Sequence, residues 1–237
     1  MWADGAQDMI DYQKSMPEMF VPNILNFASE GKELFYAGVG TPLDKWGPWF
    51  ASEERHHGLL KDVQENLTSL IDPLRLLEIY RFFSVYTADK TTNRKIKIVC
   101  RYQQYFGGKA IVERVMSRCE TGFGPKKGLI WHFQGSGKSW LMVFASQMLM
   151  KKVPKAPTVV IVDDRRDLRA QITGDFTRAE IPNLDFAYTK EELQKFFKDD
   201  QRKILITTIF LFGEIKEALN ARDNIIVMVD EAHRTQE

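Results

Sequence analysis

Between Phe133 and Trp140 the chain reads Gln134-Gly135-Ser136-Gly137-Lys138-Ser139, a stretch whose residue types and spacing suggest specific chemistry. Two glycines let the backbone fold tightly and turn its N–H groups inward, toward the oxygens of a phosphate. A helix beginning near Ser139 adds the positive end of its dipole. Lys138 supplies a point charge for the β- and γ-phosphates of ATP, and the Ser139 hydroxyl is a ligand for Mg²⁺. The full phosphate-loop pattern is G-x-x-x-x-G-K-[ST], and His132 stands at its first position in place of glycine. The competing reading is a chance glycine-rich turn. It is disfavoured by the context, an apolar run over Gly128–His132 that predicts a strand and a helical spacing over Ser139–Lys151.

A second constellation lies 92 residues beyond Lys138. The apolar run Ile225-Ile226-Val227-Met228-Val229 leads directly into Asp230-Glu231-Ala232-His233. A buried strand there carries Asp230 at its carboxyl end, where ligands of an open parallel sheet collect. Asp230 suits the Mg²⁺ shell, because this ion takes oxygen ligands and keeps much of its water. Glu231 is placed to orient or deprotonate the attacking water of a phosphoryl transfer, and His233 to couple the nucleotide state to another lobe. Alone, these four residues are also compatible with an acid-rich helix start. Paired with the loop, in this order and on strands, they point to nucleotide hydrolysis.

The elements that must hold these residues are legible in the periodicity. Thr158–Val162, Lys203–Thr207 and Asn224–Val229 read as short β-branched strands, and helical segments lie between them. Such alternation predicts a mainly parallel sheet with helices on both faces. Upstream, Gly5–Met16 reads as a helix stopped by Pro17, and apolar runs on either side of Ser29-Glu30-Gly31 predict a β-hairpin. Thr41–Phe50 is a connector carrying Trp46 and Trp49. From His57 to Tyr86, leucines recur at three- and four-residue steps and predict two helices, the second begun by Asp72 and Pro73.

Composition narrows the class. The chain has 237 residues, 44% hydrophobic and 27% charged, with a net charge of +1, which fits one or two soluble globular domains. Cys100 and Cys119 form no C-x-x-C pair, and four scattered histidines complete no zinc pattern. The two cysteines read as inert, and Trp131 and Trp140 as core. No apolar run reaches the roughly 18 residues of a membrane span, so a cytoplasmic protein is expected. Charge is uneven: residues 1–80 hold 13 acids and 6 bases, whereas residues 90–127 hold 10 bases and 2 acids. The basic stretch is either a solvated face or a contact for an anionic partner.

The pairing of Gly135-Ser136-Gly137-Lys138-Ser139 with Asp230-Glu231-Ala232-His233 is similar to superfamily 2 helicases and translocases. Gly128-Leu129-Ile130-Trp131-His132, Val162-Asp163-Asp164-Arg165-Arg166-Asp167-Leu168 with Gln171, Leu205-Ile206-Thr207-Thr208-Ile209 and Asp230–Gln236 resemble the restriction subunit of type I restriction enzymes. Tyr102-Gln103 resembles that family's adenine-sensing R-P-Y-Q motif, with Arg101 where proline is usual.

The resemblance implies a RecA-like P-loop lobe over 89–237, preceded by the tail of an α/β nuclease domain over 1–50 and linker helices over 51–88. It implies ATP and Mg²⁺ as cofactors, with Gln103, Gln134, Gly135, Ser136, Gly137, Lys138 and Ser139 at the nucleotide. It also implies DNA contact by Arg165, Arg166, Thr207 and Thr208. Implied partners are double-stranded DNA and the modification and specificity subunits of a restriction complex, with no membrane. On this reading the chain is a fragment. The nuclease's metal-binding residues would precede it, and the second lobe, with its arginines for the γ-phosphate, would follow. The chain would then bind nucleotide but hydrolyse little, and its sheet would keep an exposed apolar edge. Alternatives are another superfamily 2 helicase, a type III-like restriction subunit, or a non-catalytic nucleotide-binding module.

Overall fold

The computed structural model describes residues 1–52, 54–88, 95–123, 125–133, 135–163, 181–213, 215 and 218–230. They fall into two compact units that divide between Phe106 and Gly107.

In the first unit, helix α1 (Trp2–Ser15) lies on an antiparallel sheet of β1 (Leu25–Ser29), β2 (Leu34–Gly38) and the short β3 (Gly47–Pro48). The predicted hairpin forms as read, with Leu25 opposite Gly38 and Ser29 opposite Leu34. Small residues let helix and sheet approach closely. Ala6, Ala28, Ala37 and Trp46 form the core, and the Trp2 and Phe35 rings stack on its rim at 3.8 Å. Helices α2 (Leu60–Leu70) and α3 (Pro73–Phe82) follow. Asp72 caps α3 by accepting from the Arg75 backbone N–H at 2.8 Å, with Pro73 in the first turn, as the sequence predicts. A second antiparallel hairpin joins β4 (Ser84–Ala88) to β5 (Lys95–Val99). Gly38 and Gly40 permit β5 to lie against the end of β2. A Cβ on Gly38 would fall 1.6 Å from the Lys97 carbonyl oxygen, and Gly40 adopts φ +88.

Helix α4 (Tyr102–Thr121) begins in the first unit and ends in the second. The rest of the second unit is the predicted α/β lobe. Helix α5 (Lys138–Lys152) packs against strand β6 (Thr158–Asp163). Strand β7 (Leu184–Phe186), helix α6 (Lys190–Lys198), strand β8 (Ile204–Thr208), the short helix α7 (Ile209–Gly213) and strand β9 (Ile225–Val229) complete it. The sheet order is β7-β8-β6-β9, and every pairing is parallel. Each of β6 and β8 is buried along its whole length, which is why both read as continuous β-branched runs rather than alternating ones. One face of the sheet, with Val160, Val162 and Leu205, packs on Leu193, Phe196 and Phe197 of α6. Thr189 and Glu192 start α6 with a reciprocal capping box. This is the architecture of a RecA-like lobe.

Two expectations fail. Gly128–His132 is not a strand, and Trp131 is not core: Leu129 is 86% and Trp131 84% exposed. A short apolar run becomes a strand only where a neighbour pairs its backbone, and among the described residues no strand pairs with it. Strand β9 is likewise an edge among the described residues, with Val227 and Val229 exposed. Trp140 is half-buried and stacks on Phe144 one turn along α5. Cys100 is buried, where desolvation pushes its thiol well above the usual range, and Cys119 is exposed. Among the described residues no helix is long and apolar enough to cross a membrane.

Candidate nucleotide site

The loop before α5 has the backbone its glycines foretell. Gly135 (φ +79) and Gly137 (φ +83) both lie in the left-handed region, where a side chain is strained. Gly137 is also the N-cap of α5, and its carbonyl accepts from the Leu141 N–H at 3.1 Å. The Ser136 N–H closes the turn onto the Phe133 carbonyl at 3.3 Å, and the Ser136 side chain is buried. Lys138 and Ser139 form the first turn of α5 and remain half-buried, so their heads stay within reach of a ligand. That first turn has no acid, and the basic residues Lys151 and Lys152 sit in the last turn. Its N-terminal field is therefore left for an incoming anion. Leu141, Val143, Phe144, Ala145, Met148 and Leu149 are buried, so the helix is anchored rather than lying on the surface.

His132 precedes the loop and is half-buried beside α4. Its Nε2 lies 3.5 Å from where a Cβ on Gly107 would sit. Burial lowers the imidazole's pKa from its usual 6.5, and the positive charge of Lys138 lowers it further.

On the sheet, the last β6–β9 pair is Val162 with Val229, and the Asp230 N–H donates to the Val162 carbonyl at 2.9 Å. Asp230 thus continues the parallel register past β9 and stands half-buried at its carboxyl end, next to Asp163 on β6. Asp163 in turn pairs with Thr208 on β8. Asp163 is a buried acid at the sheet's carboxyl end that the sequence reading did not single out as a site residue. Its placement at the end of an all-apolar strand was the available signal.

Thr207 and Thr208 are both buried, and the Thr207 hydroxyl donates to the Ala187 carbonyl at 3.3 Å, so neither side chain is presented at the surface. Gln103 is the second residue of α4 and half-buried. Gln134, Arg165, Arg166, Gln171, Glu231 and His233 lie outside the described residues.

Mg·ATP fits this geometry. The two left-handed glycines, the acid-free helix start, and the accessible ammonium and hydroxyl fit a polyphosphate. Among the described residues a Cβ built on Gly135 meets nothing within 4 Å. Among the described residues no group of three His, Cys, Asp or Glu side chains could cage a metal. Mg²⁺ carried on phosphate oxygens, which keeps much of its water, needs few ligands from the protein.

Comparison with known proteins decides the family. The SWI2/SNF2 ATPase model matches residues 103–237, more than half of the chain. The chain belongs to the SWI2/SNF2 ATPase family. Beyond the matched region it is similar to the type I restriction enzyme HindI endonuclease subunit of Haemophilus influenzae. The two are 30% identical over 242 residues, covering 95% of this chain and 23% of that protein. It is 26% identical over 255 residues to MjaVIIIP of Methanocaldococcus jannaschii, provisionally named as another such subunit, covering 95% and 24%. A type I restriction enzyme endonuclease subunit of Staphylococcus aureus is 24% identical over 194 residues, covering 79% and 20%. The chain spans about a quarter of the length of the first two relatives.

Proposed function

We propose that this SWI2/SNF2 lobe binds and hydrolyses Mg·ATP as the motor of a type I restriction subunit, and that it translocates double-stranded DNA. The observation that carries the proposal is the loop of left-handed glycines opening α5, in one lobe with a parallel sheet that ends on Asp230. The loop's N–H groups and Lys138 hold the phosphates, and Ser139 and Asp230 hold Mg²⁺, which draws charge from the phosphate oxygens when bound. Glu231, next in sequence, orients the attacking water, and His233 relays the nucleotide state. Gln103 reads the base, and Gln134 binds the nucleotide with the loop it opens.

DNA contact is assigned to Arg165 and Arg166, with the basic stretch 90–127. Thr207 and Thr208, whose side chains are buried, are assigned a contact through the backbone at the carboxyl end of β8. That the relatives are named as subunits supports assembly with partner subunits, to which we assign modification and specificity, and a cytoplasmic location belongs to the same reading. Phosphate release with and without linear duplex DNA, beside nucleotide affinity, tests the proposal in wild type and Glu231→Gln of a full-length type I restriction subunit carrying this sequence. The expected result is that the variant keeps nucleotide affinity within about threefold and loses all turnover. Loss of binding together with turnover would refute the role given to Glu231, and turnover unchanged by the substitution would refute the proposed chemistry.

A further inference from the structure

Within the second unit, the latter half of α4 borders a surface cleft of about 430 Å³. None of the residues lining it belongs to the glycine loop or to the carboxyl end of the sheet. The pairs Glu113-Arg114 and Ser117-Arg118 line it from α4, where they recur one turn apart and so share a face of the helix. Phe123 and Pro125 line it from the segment that follows. The turn between them places the ring. The Gly122 N–H closes α4 on the Arg118 carbonyl at 2.9 Å, and Gly122 adopts φ +69, the left-handed conformation that reverses the chain. The Thr121 hydroxyl donates to the Ser117 carbonyl at 2.7 Å and accepts from the Phe123 N–H at 3.2 Å.

At a helix end of this kind an apolar residue after the glycine usually packs on the last turn. Phe123 instead stays 82% exposed. Single exposed apolar residues are common on protein surfaces, so exposure alone marks nothing. What sets this ring apart is the cleft it shares with two guanidiniums, and the exposed Lys126 and Lys127 just beyond it. Guanidiniums bind phosphate oxygens through a fixed fork, and an open aromatic face stacks on a base. A duplex keeps its bases stacked inside and offers the ring no partner. An unpaired strand offers a phosphate and an open base at every step. The volume lies near the lower end of the roughly 300–1,000 Å³ of small-ligand clefts and admits one nucleotide unit. Charge that continues past the cleft in Lys126 and Lys127 favours a strand over a free nucleotide.

We propose that this cleft holds an unpaired stretch of nucleic acid, with one base stacked on Phe123 and adjacent phosphates on Arg114 and Arg118. This rests on the assignment of residues 90–127 to DNA and names the form of nucleic acid they take. Glu113 works against the phosphates and keeps the contact weak. The test is fluorescence anisotropy on the 237-residue chain with a thymidine oligonucleotide, an abasic strand of equal length and a duplex. Wild type should bind the thymidine strand about tenfold more tightly than the abasic one. Phe123→Leu keeps apolar bulk without the aromatic face. It should bring that ratio near unity and leave affinity for the abasic strand unchanged. Arg114→Gln and Arg118→Gln should weaken both strands alike, each lowering the slope of log affinity against log salt by about 0.7. Glu113→Gln should tighten both. Equal wild-type affinity for the thymidine and abasic strands, or a ratio unmoved by Phe123→Leu, would overturn the proposal. Duplex binding that stays steeply salt-dependent in that case would leave the backbone-contact reading standing, and no binding of any strand or duplex would end both. Poly-glutamate that displaces the thymidine strand as well as unlabelled strand does would also overturn it, in favour of an acidic protein. Arg118 is half-buried, so should its variant not fold, the slope in Arg114→Gln decides, and an unchanged slope there overturns the phosphate contact.

Discussion

Gly137 closes the loop at φ +83 and caps α5, so any residue with a Cβ must either strain the backbone there or let the turn relax. The left-handed conformation costs an L-residue about 1–2 kcal/mol, and Gly137→Ala is therefore expected to weaken Mg·ATP binding roughly 5–30-fold by calorimetry. His132 gives a prediction in pH. Its pKa is depressed below 6.5, first by burial and then by Lys138, so just below that pH the unfolded chain binds a proton that the folded chain does not. Stability then rises with pH up to about 6.5 and falls as pH drops through the window beneath it. In His132→Asn this part of the fall should vanish, seen as a smaller loss of Tm between pH 7 and pH 5.5. Lys138 and Ser139 were legible because their chemistry needs neighbours in sequence. The cleft beside α4 was not, because Phe123 joins Arg114 and Arg118 there only through the turn at Gly122.

Among the elements, the close approach of β2 and β5 depends on the missing side chain of Gly38. A Cβ there would lie 1.6 Å from a backbone oxygen and 2.7 Å from the carbonyl carbon, and neither atom can swing away. Gly38→Ala should destabilise the first unit by at least about 1–3 kcal/mol, the usual range for overpacking, read as a lower denaturant midpoint. The buried strands β6 and β8 and the first hairpin were predictable from apolar runs and turn residues, since burial on both faces writes itself into composition. The hairpin of β4 and β5 was not. Helical leucine spacing carries the reading on to Tyr86, across strand β4, which pairs antiparallel with β5. Gly128–His132 failed in the opposite sense: its apolar pattern is strand-like, but a strand also needs a paired neighbour.

For the molecule as a whole, net charge of +1 conceals an acidic first third and a basic stretch at 90–127. If that stretch, with Arg165 and Arg166, neutralises about four phosphates of a duplex, the slope of log affinity against log salt should be about −3.6. Fluorescence anisotropy with duplexes of unrelated sequence should give the same slope and the same affinity. A flat salt response or a marked sequence preference would contradict backbone contact. The functional account depends on one claim, that the loop from Gly135 to Ser139 is a nucleotide phosphate site. Calorimetric titration of Mg·ATP into the wild-type chain and Lys138→Ala addresses it directly. The account predicts saturable binding to wild type, weakened at least about tenfold in the variant because hydrogen bonds from a cation to phosphate are lost. Equal affinity in the two proteins, or no binding to either, would contradict it.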